Sequence, residues 1–106
     1  MLIAVLALGL LMPASAEAVQ WRMRYGQAKH ATKEYAQDTC EELRECTAWG
    51  VGQCFRRSLS RFSCSMGTFF PGVEPGEEIE CRQVLHWGVS FDGYVELKAR
   101  GRPHCF

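Results

Sequence analysis

The chain has 106 residues, twelve basic and twelve acidic side chains and a formal net charge of zero. That length sustains one small domain, and the balance argues against a protein built mainly to bind nucleic acid, which normally carries a clear basic excess. Six cysteines are present, an even count that in an exported chain reads as a disulfide framework.

Residues 1–16, MLIAVLALGLLMPASA, have the form of a secretory signal peptide. Residues 2–12 are an unbroken apolar run, Pro13 ends it, and Ala14-Ser15-Ala16 fits a signal-peptidase site. The run is shorter than the about 20 apolar residues of a membrane-spanning helix. Cleavage is expected after Ala16, with Ala18 as the second choice, and no cysteine lies near the cut to carry a lipid. Residues 17–106 then form a single small domain, secreted or periplasmic, whose core is modest enough to call for covalent staples. No membrane span is expected in the mature form.

From about Met23 to Glu45 the pattern is that of one amphipathic helix. Tyr25, Ala28, Thr32, Tyr35, Ala36, Thr39, Leu43 and Cys46 recur at three- and four-residue steps, against Lys29, Lys33, Gln37, Glu41 and Arg44. The small residues Ala28, Ala31 and Ala36 predict close approach to a sheet. An unbroken helix would set Cys40 and Cys46 about 240° apart, so each is expected to staple the helix end to something else. Were the helix to stop near Leu43, a local Cys40–Cys46 bridge would be the alternative.

Beyond the helix the period changes to two. Four alternating segments follow, over residues 47–55, 61–70, 79–91 and 94–100, each with one apolar face. They predict an antiparallel sheet covered on one side by the helix. In the last hairpin a two-residue Asp-Gly turn would set apolar residues opposite polar ones. A three-residue loop, Phe91-Asp92-Gly93 with Gly93 left-handed, instead pairs Val89 with Val95, Trp87 with Leu97 and Leu85 with Ala99. It leaves Ser90/Tyr94, Gly88/Glu96, His86/Lys98 and Val84/Arg100 on a polar outer face. In the first hairpin, pairing Phe55 with Phe62 and Gln53 with Cys64 sets Trp49 and Val51 against Thr68 and Met66. That register opposes Arg56 to Arg61 and points Cys54 and Cys64 to opposite faces, leaving Cys64 for Cys40, Cys46 or Cys81.

The fold class is therefore α+β: one long N-terminal helix on a four-stranded antiparallel meander, stapled by disulfides among Cys40, Cys46, Cys54, Cys64, Cys81 and Cys105. Spacing does not fix which cysteines pair. The order of helix and strands resembles the cystatin-like arrangement. That resemblance is one of architecture, and with no Q-x-V-x-G-type loop present it implies no protease inhibition.

Chemistry-bearing patterns are sparse. The chain has no G-x-S-x-G stretch, no C-x-x-C and no paired histidines, so neither an activated nucleophile nor a metal site is expected, nor any cofactor. His30, His86 and His104 are scattered, and His86 with Lys98, together with His104, is worth naming beside ribonuclease-like acid–base chemistry. The acids of residues 74–80, Glu74, Glu77, Glu78 and Glu80, sit in a Pro/Gly loop where solvated carboxylates are ordinary. Charge layout is more informative. Residues 47–73 carry Arg56, Arg57 and Arg61 and no acid, while residues 74–80 carry no base. A simple meander puts these two loops at opposite ends. Arginine forks suit carboxylates, phosphates and sulfated sugars, and Leu59 between them resembles an interface anchor. The leading expectation is a small exported binding module contacting an extracellular protein or anionic ligand. Its contact residues would be Arg56, Arg57, Leu59 and Arg61 at the tip, with His86 and Lys98 on the polar face. A secreted inhibitor or effector of an extracellular enzyme is the second expectation, and a small His-dependent hydrolase the third.

Overall fold

A computed structural model describes residues 21–106, so the expected signal peptide lies outside the described residues. Helix α1 spans Tyr25–Glu42, followed by β1 Ala48–Ser58, β2 Arg61–Pro71, β3 Glu78–Val89, β4 Val95–Arg100 and the two-residue β5 His104–Cys105. The strands form an antiparallel meander in the order β1-β2-β3-β4, and β5 pairs with β3 beyond the end of β4. Helix and sheet are as the sequence predicts. The short β5 is an addition, because two residues after Pro103 are too few to show a period.

Small side chains set the helix close to the sheet. Ala28, Thr32, Ala36 and Cys40, one per turn, are its buried residues, and Lys29 Nζ reaches Gly52 O at 3.0 Å. Beneath them lie Phe62, Cys64, Met66, Leu85 and Trp87. Within this core Trp87 Nε1–H donates to Thr32 Oγ1 at 2.8 Å, and that hydroxyl donates to Ala28 O at 2.8 Å. Thr32→Val keeps the shape but strands the indole N–H. The expected loss is about 1–3 kcal/mol. Urea unfolding of Thr32→Val, Trp87→Phe and the double variant should show coupling between the two sites. Strictly additive losses would mean the hydrogen bond contributes nothing.

The helix ends three residues earlier than the sequence pattern implies. Leu43 is extended (φ −91°, ψ 117°), its N–H closes on Thr39 O, and a turn from Cys46 N to Leu43 O reverses the chain. Cys46 is thereby brought to Cys40, with Cα atoms 5.2 Å apart, and the two are bonded. The expectation that each would staple the helix to something else is corrected, and the local bridge is the one formed. The helix termini also carry the wrong charges for its macrodipole. No acid lies in the first turn and no base in the last, while Arg24 precedes the helix and Glu41 and Glu42 end it. Each such exposed charge is unfavourable by about 0.3–1 kcal/mol.

The first hairpin departs from its expected register at two points, Gly52–Gln53 and Arg57, the second leaving Ser58 rather than Arg56 opposite Arg61. Trp49 pairs with Thr68 and Val51 with Met66 as predicted, but a bulge at Gly52–Gln53 shifts the rest, giving Cys54↔Cys64, Phe55↔Ser63 and Arg56↔Phe62. Gly52 leaves room there for the Ser65 hydroxyl, which a Cβ would push aside. A one-residue shift moves every later side chain of β1 to the other face. Cys54 therefore turns inward and bonds Cys64, which is fully buried, and the expectation that the two face apart is overturned. Phe55 turns outward and is 57% exposed.

The last hairpin has the expected three-residue loop. Ser90 N–H donates to Tyr94 O at 2.8 Å and Gly93 is left-handed at φ 91°. Val89↔Val95, Trp87↔Leu97 and Gly88↔Glu96 pair as predicted, but a bulge at Lys98 then sets His86 opposite Ala99 and Leu85 opposite Arg100. The expected Leu85–Ala99, His86–Lys98 and Val84–Arg100 pairings are corrected accordingly. Arg100 moves to the helix side, where it donates to Tyr35 Oη at 2.8 Å.

The third disulfide, Cys81–Cys105, ties β5 to β3. Three disulfides and no free cysteine among the described residues fit an oxidising compartment. No helix of the described residues is long and apolar enough to cross a membrane.

Candidate binding site on the outer sheet face

Strand alternation and the two bulges decide which polar side chains meet. On β2, Phe62, Cys64 and Met66 face the helix, so Ser63 faces outward, where it lies opposite His86 of β3 and Phe55 of β1. The β1–β2 tip folds its second arginine over this spot. Arg57 Nε–H donates to Ser63 Oγ at 3.0 Å, and Ser63 Oγ lies 2.8 Å from His86 Nδ1. A serine hydroxyl has one hydrogen and two lone pairs, so Ser63 accepts from Arg57 and still pairs with Nδ1 in either tautomer of the ring.

Ser63 is 3% exposed. Its hydroxyl is thus a fixed post that orients Arg57 and His86, rather than a nucleophile open to a substrate. Nothing in the residue pattern signals this role, because an alternating Ser in a strand reads as an ordinary outward polar residue.

One row further toward the tip, Arg61 pairs with Gly88, and Gly88 with Glu96. Gly88 makes room for two cations. A Cβ built on it would lie 2.7 Å from Lys98 Cε, 2.9 Å from Lys98 Cγ and 3.1 Å from Arg61 Nε. The Arg61 and Lys98 side chains therefore lie over the glycine, beside the Arg57–Ser63–His86 row. Lys98 Nζ is 3.2 Å from Glu96 Oε2, an exposed pair of small energetic weight. Arg57 and Arg61 have no carboxylate partner among the described residues.

Four of the six expected contact residues, Arg57, Arg61, His86 and Lys98, are thus brought together on one open face. The other two are elsewhere. Arg56, turned inward by the bulge at Gly52–Gln53, donates to Met23 O at 2.8 Å, Ser58 O at 3.2 Å and Leu59 O at 3.0 Å, with its guanidinium 4.6 Å from the Phe62 ring centroid. It braces the tip against the segment that precedes the helix. Leu59 is at the apex, 48% exposed, away from the cationic cluster. His30 pairs with Glu34 on the exposed helix face at 3.2 Å, and His104 pairs with Arg82 across β5 and β3. Farther along the outer face Arg82 is held by Glu80 at 2.6 Å, whose hydrogen bond and charge raise the guanidinium above its ordinary value.

Among the described residues no group of three or more His, Cys, Asp or Glu is placed to hold a metal ion. Comparison with protein-family models, curated proteins and solved structures returns no match. What the fold and this face define is a class: a small disulfide-bonded α+β domain with a cationic cluster on its uncovered sheet face.

Proposed function

We propose that the protein is a small exported binding module that takes an anionic ligand on the outer face of its sheet. The observation that supports this most is the convergence of two guanidiniums with no carboxylate partner among the described residues, Arg57 and Arg61, with His86 and Lys98 around Ser63 and Gly88. Arginine presents a planar fork that binds carboxylate, phosphate or sulfate through two parallel hydrogen bonds. Here Arg57 is oriented by Ser63, and Arg61 lies over a glycine, so part of the ordering entropy is met before the ligand arrives. His86, held by Ser63 through Nδ1, adds the Nε2 edge of its imidazole. One acid, Glu96, shares the patch and engages Lys98, which favours a ligand of more than one negative charge.

The test changes the arrangement without changing a charge. Gly88→Val keeps a residue well suited to a strand but occupies the floor under Arg61 and Lys98. Both are long flexible side chains that can swing aside, so unfolding should be little affected. Affinity for a sulfated polysaccharide such as heparin, measured by calorimetry at fixed salt, is expected to fall about tenfold, the effect of one charge-assisted contact. Undiminished binding by a folded Gly88→Val protein would sink the assignment to this face.

A further inference from the structure

We propose that the protein associates head to tail with a second copy of itself, the hairpin-tip end of one molecule receiving the β2–β3 loop of the next. The inference stands on the two ends of the sheet and is independent of the cationic face.

At one end three separate segments are tied together. Met23 N–H donates to Leu59 O at 2.9 Å, Trp21 Nε1–H donates to Phe91 O at 2.6 Å, and the Trp21 ring packs 3.3 Å from the Cβ position of Gly93. Between the two hairpins they leave an open notch of about 500 Å³, lined by Trp21, Leu59 and Phe91 among others. These three are 46%, 48% and 93% exposed, an unusual concentration of large apolar surface on so small a domain. Arg22 and Arg24, both exposed, lie in the segment that carries Trp21, while the one acid beside Phe91, Asp92, has its carboxylate hydrogen-bonded by Ser90.

The opposite end is its complement. The β2–β3 loop is a fixed turn, closed by Gly72 N–H to Glu77 O at 2.7 Å and Glu77 N–H to Glu74 O at 3.0 Å, with Gly76 left-handed at φ 83°. It holds Val73 out to solvent at 95% exposure, Glu74 and Glu77 follow it in the loop, Glu78 opens β3, and the helix ends at the same side with Glu41 and Glu42. An exposed valine beside acids thus lies at the opposite end from a notch lined by large apolar residues and serines, next to the segment that carries Arg22 and Arg24. The meander sets them at opposite ends, so they cannot meet within one molecule. They can meet between two. The charges at both helix ends also run against the macrodipole, so the helix itself gives no reason for them.

Such a contact is heterologous, and each addition leaves one free end of each kind, so assembly continues past a dimer unless a ring closes. Sedimentation of the oxidised protein at low salt should show mass rising beyond a dimer with concentration, and falling back to monomer at high salt. Leu59→Asp and Val73→Arg, both at exposed positions, should each be monomeric alone. Mixed, they should form a dimer that grows no further, because Leu59→Asp retains an intact loop and Val73→Arg an intact notch. A wild-type protein that stays monomeric at low salt, or stops at a closed dimer, overturns the proposal. So does a mixture of the two variants that remains monomeric while each keeps the wild-type near-ultraviolet circular dichroism.

Discussion

Replacing Cys54 and Cys64 together by alanine is expected to be the most damaging loss of a disulfide, about 4–5 kcal/mol. Chain entropy alone would rank the bridges by loop length. For the separations of 6, 10 and 24 residues it gives about 2.2, 2.7 and 3.4 kcal/mol, which favours Cys81–Cys105. Burial reverses the first two ranks. Cys54 is 8% exposed and Cys64 fully buried, under the helix, with Cys64 Sγ 3.8 Å from Ala28 O. Alanine there removes two packed sulfurs from the centre of the core and leaves a cavity worth a further 1–2 kcal/mol or about that. Cys105 is exposed and Cys81 only half-buried, so their removal adds little beyond the loop. Urea unfolding of the three double-alanine variants decides the matter. If the Cys81/Cys105 variant were the least stable, loop entropy rather than core packing would set the order.

The same bridge marks where the sequence is legible and where it is not. Alternation carries the parity of each strand, so the meander, the helix as its cover and the Phe91-Asp92-Gly93 loop follow from residue types alone. A bulge changes parity without changing composition. At Gly52–Gln53 a trace was present: two glycines, Gly50 and Gly52, flank the point where the apolar alternation could shift, and strand glycines often mark bulges. Phe55 masked it, because an aromatic continuing the Trp49–Val51 pattern reads as core although it faces solvent. At Lys98 there is no glycine and no break in Val95, Leu97, Ala99 before the pattern ends. The helix stop was hidden because Glu-Glu-Leu-Arg-Glu carries neither a C-terminal glycine nor a proline. Both bulges act on the candidate face. The first turns Arg56 inward and leaves Arg57 over Ser63, and the second frees Lys98 from pairing with His86 and lets it lie over Gly88. The residue types of the site were readable, but their grouping was set by two local irregularities.

The grouping can be separated from charge count by comparing two triple variants. Arg57→Ser/Arg61→Ser/Lys98→Ser removes three cations from the outer face. Lys33→Ser/Arg44→Ser/Arg102→Ser removes three exposed cations from elsewhere, and the two proteins have the same net charge. If binding were a response to overall charge, both would lose affinity for a sulfated polysaccharide alike, and both losses would vanish at high salt. A built cluster predicts asymmetry. The first variant is expected to lose about a thousandfold, since it gives up three charge-assisted contacts at about tenfold each, and the second less than about threefold. The slope of log affinity against log salt should become shallower by about 2–3 in the first variant, roughly 0.7–0.9 per contact removed, and stay unchanged in the second. Stability gives a further check. Ser63 is buried and loses its Arg57 donor in the first variant but keeps His86, so its hydroxyl remains satisfied and unfolding should shift little. Equal losses in the two triple variants would show that the arginines of the tip are a charged edge that discourages strand pairing, and that the sheet face holds no ligand.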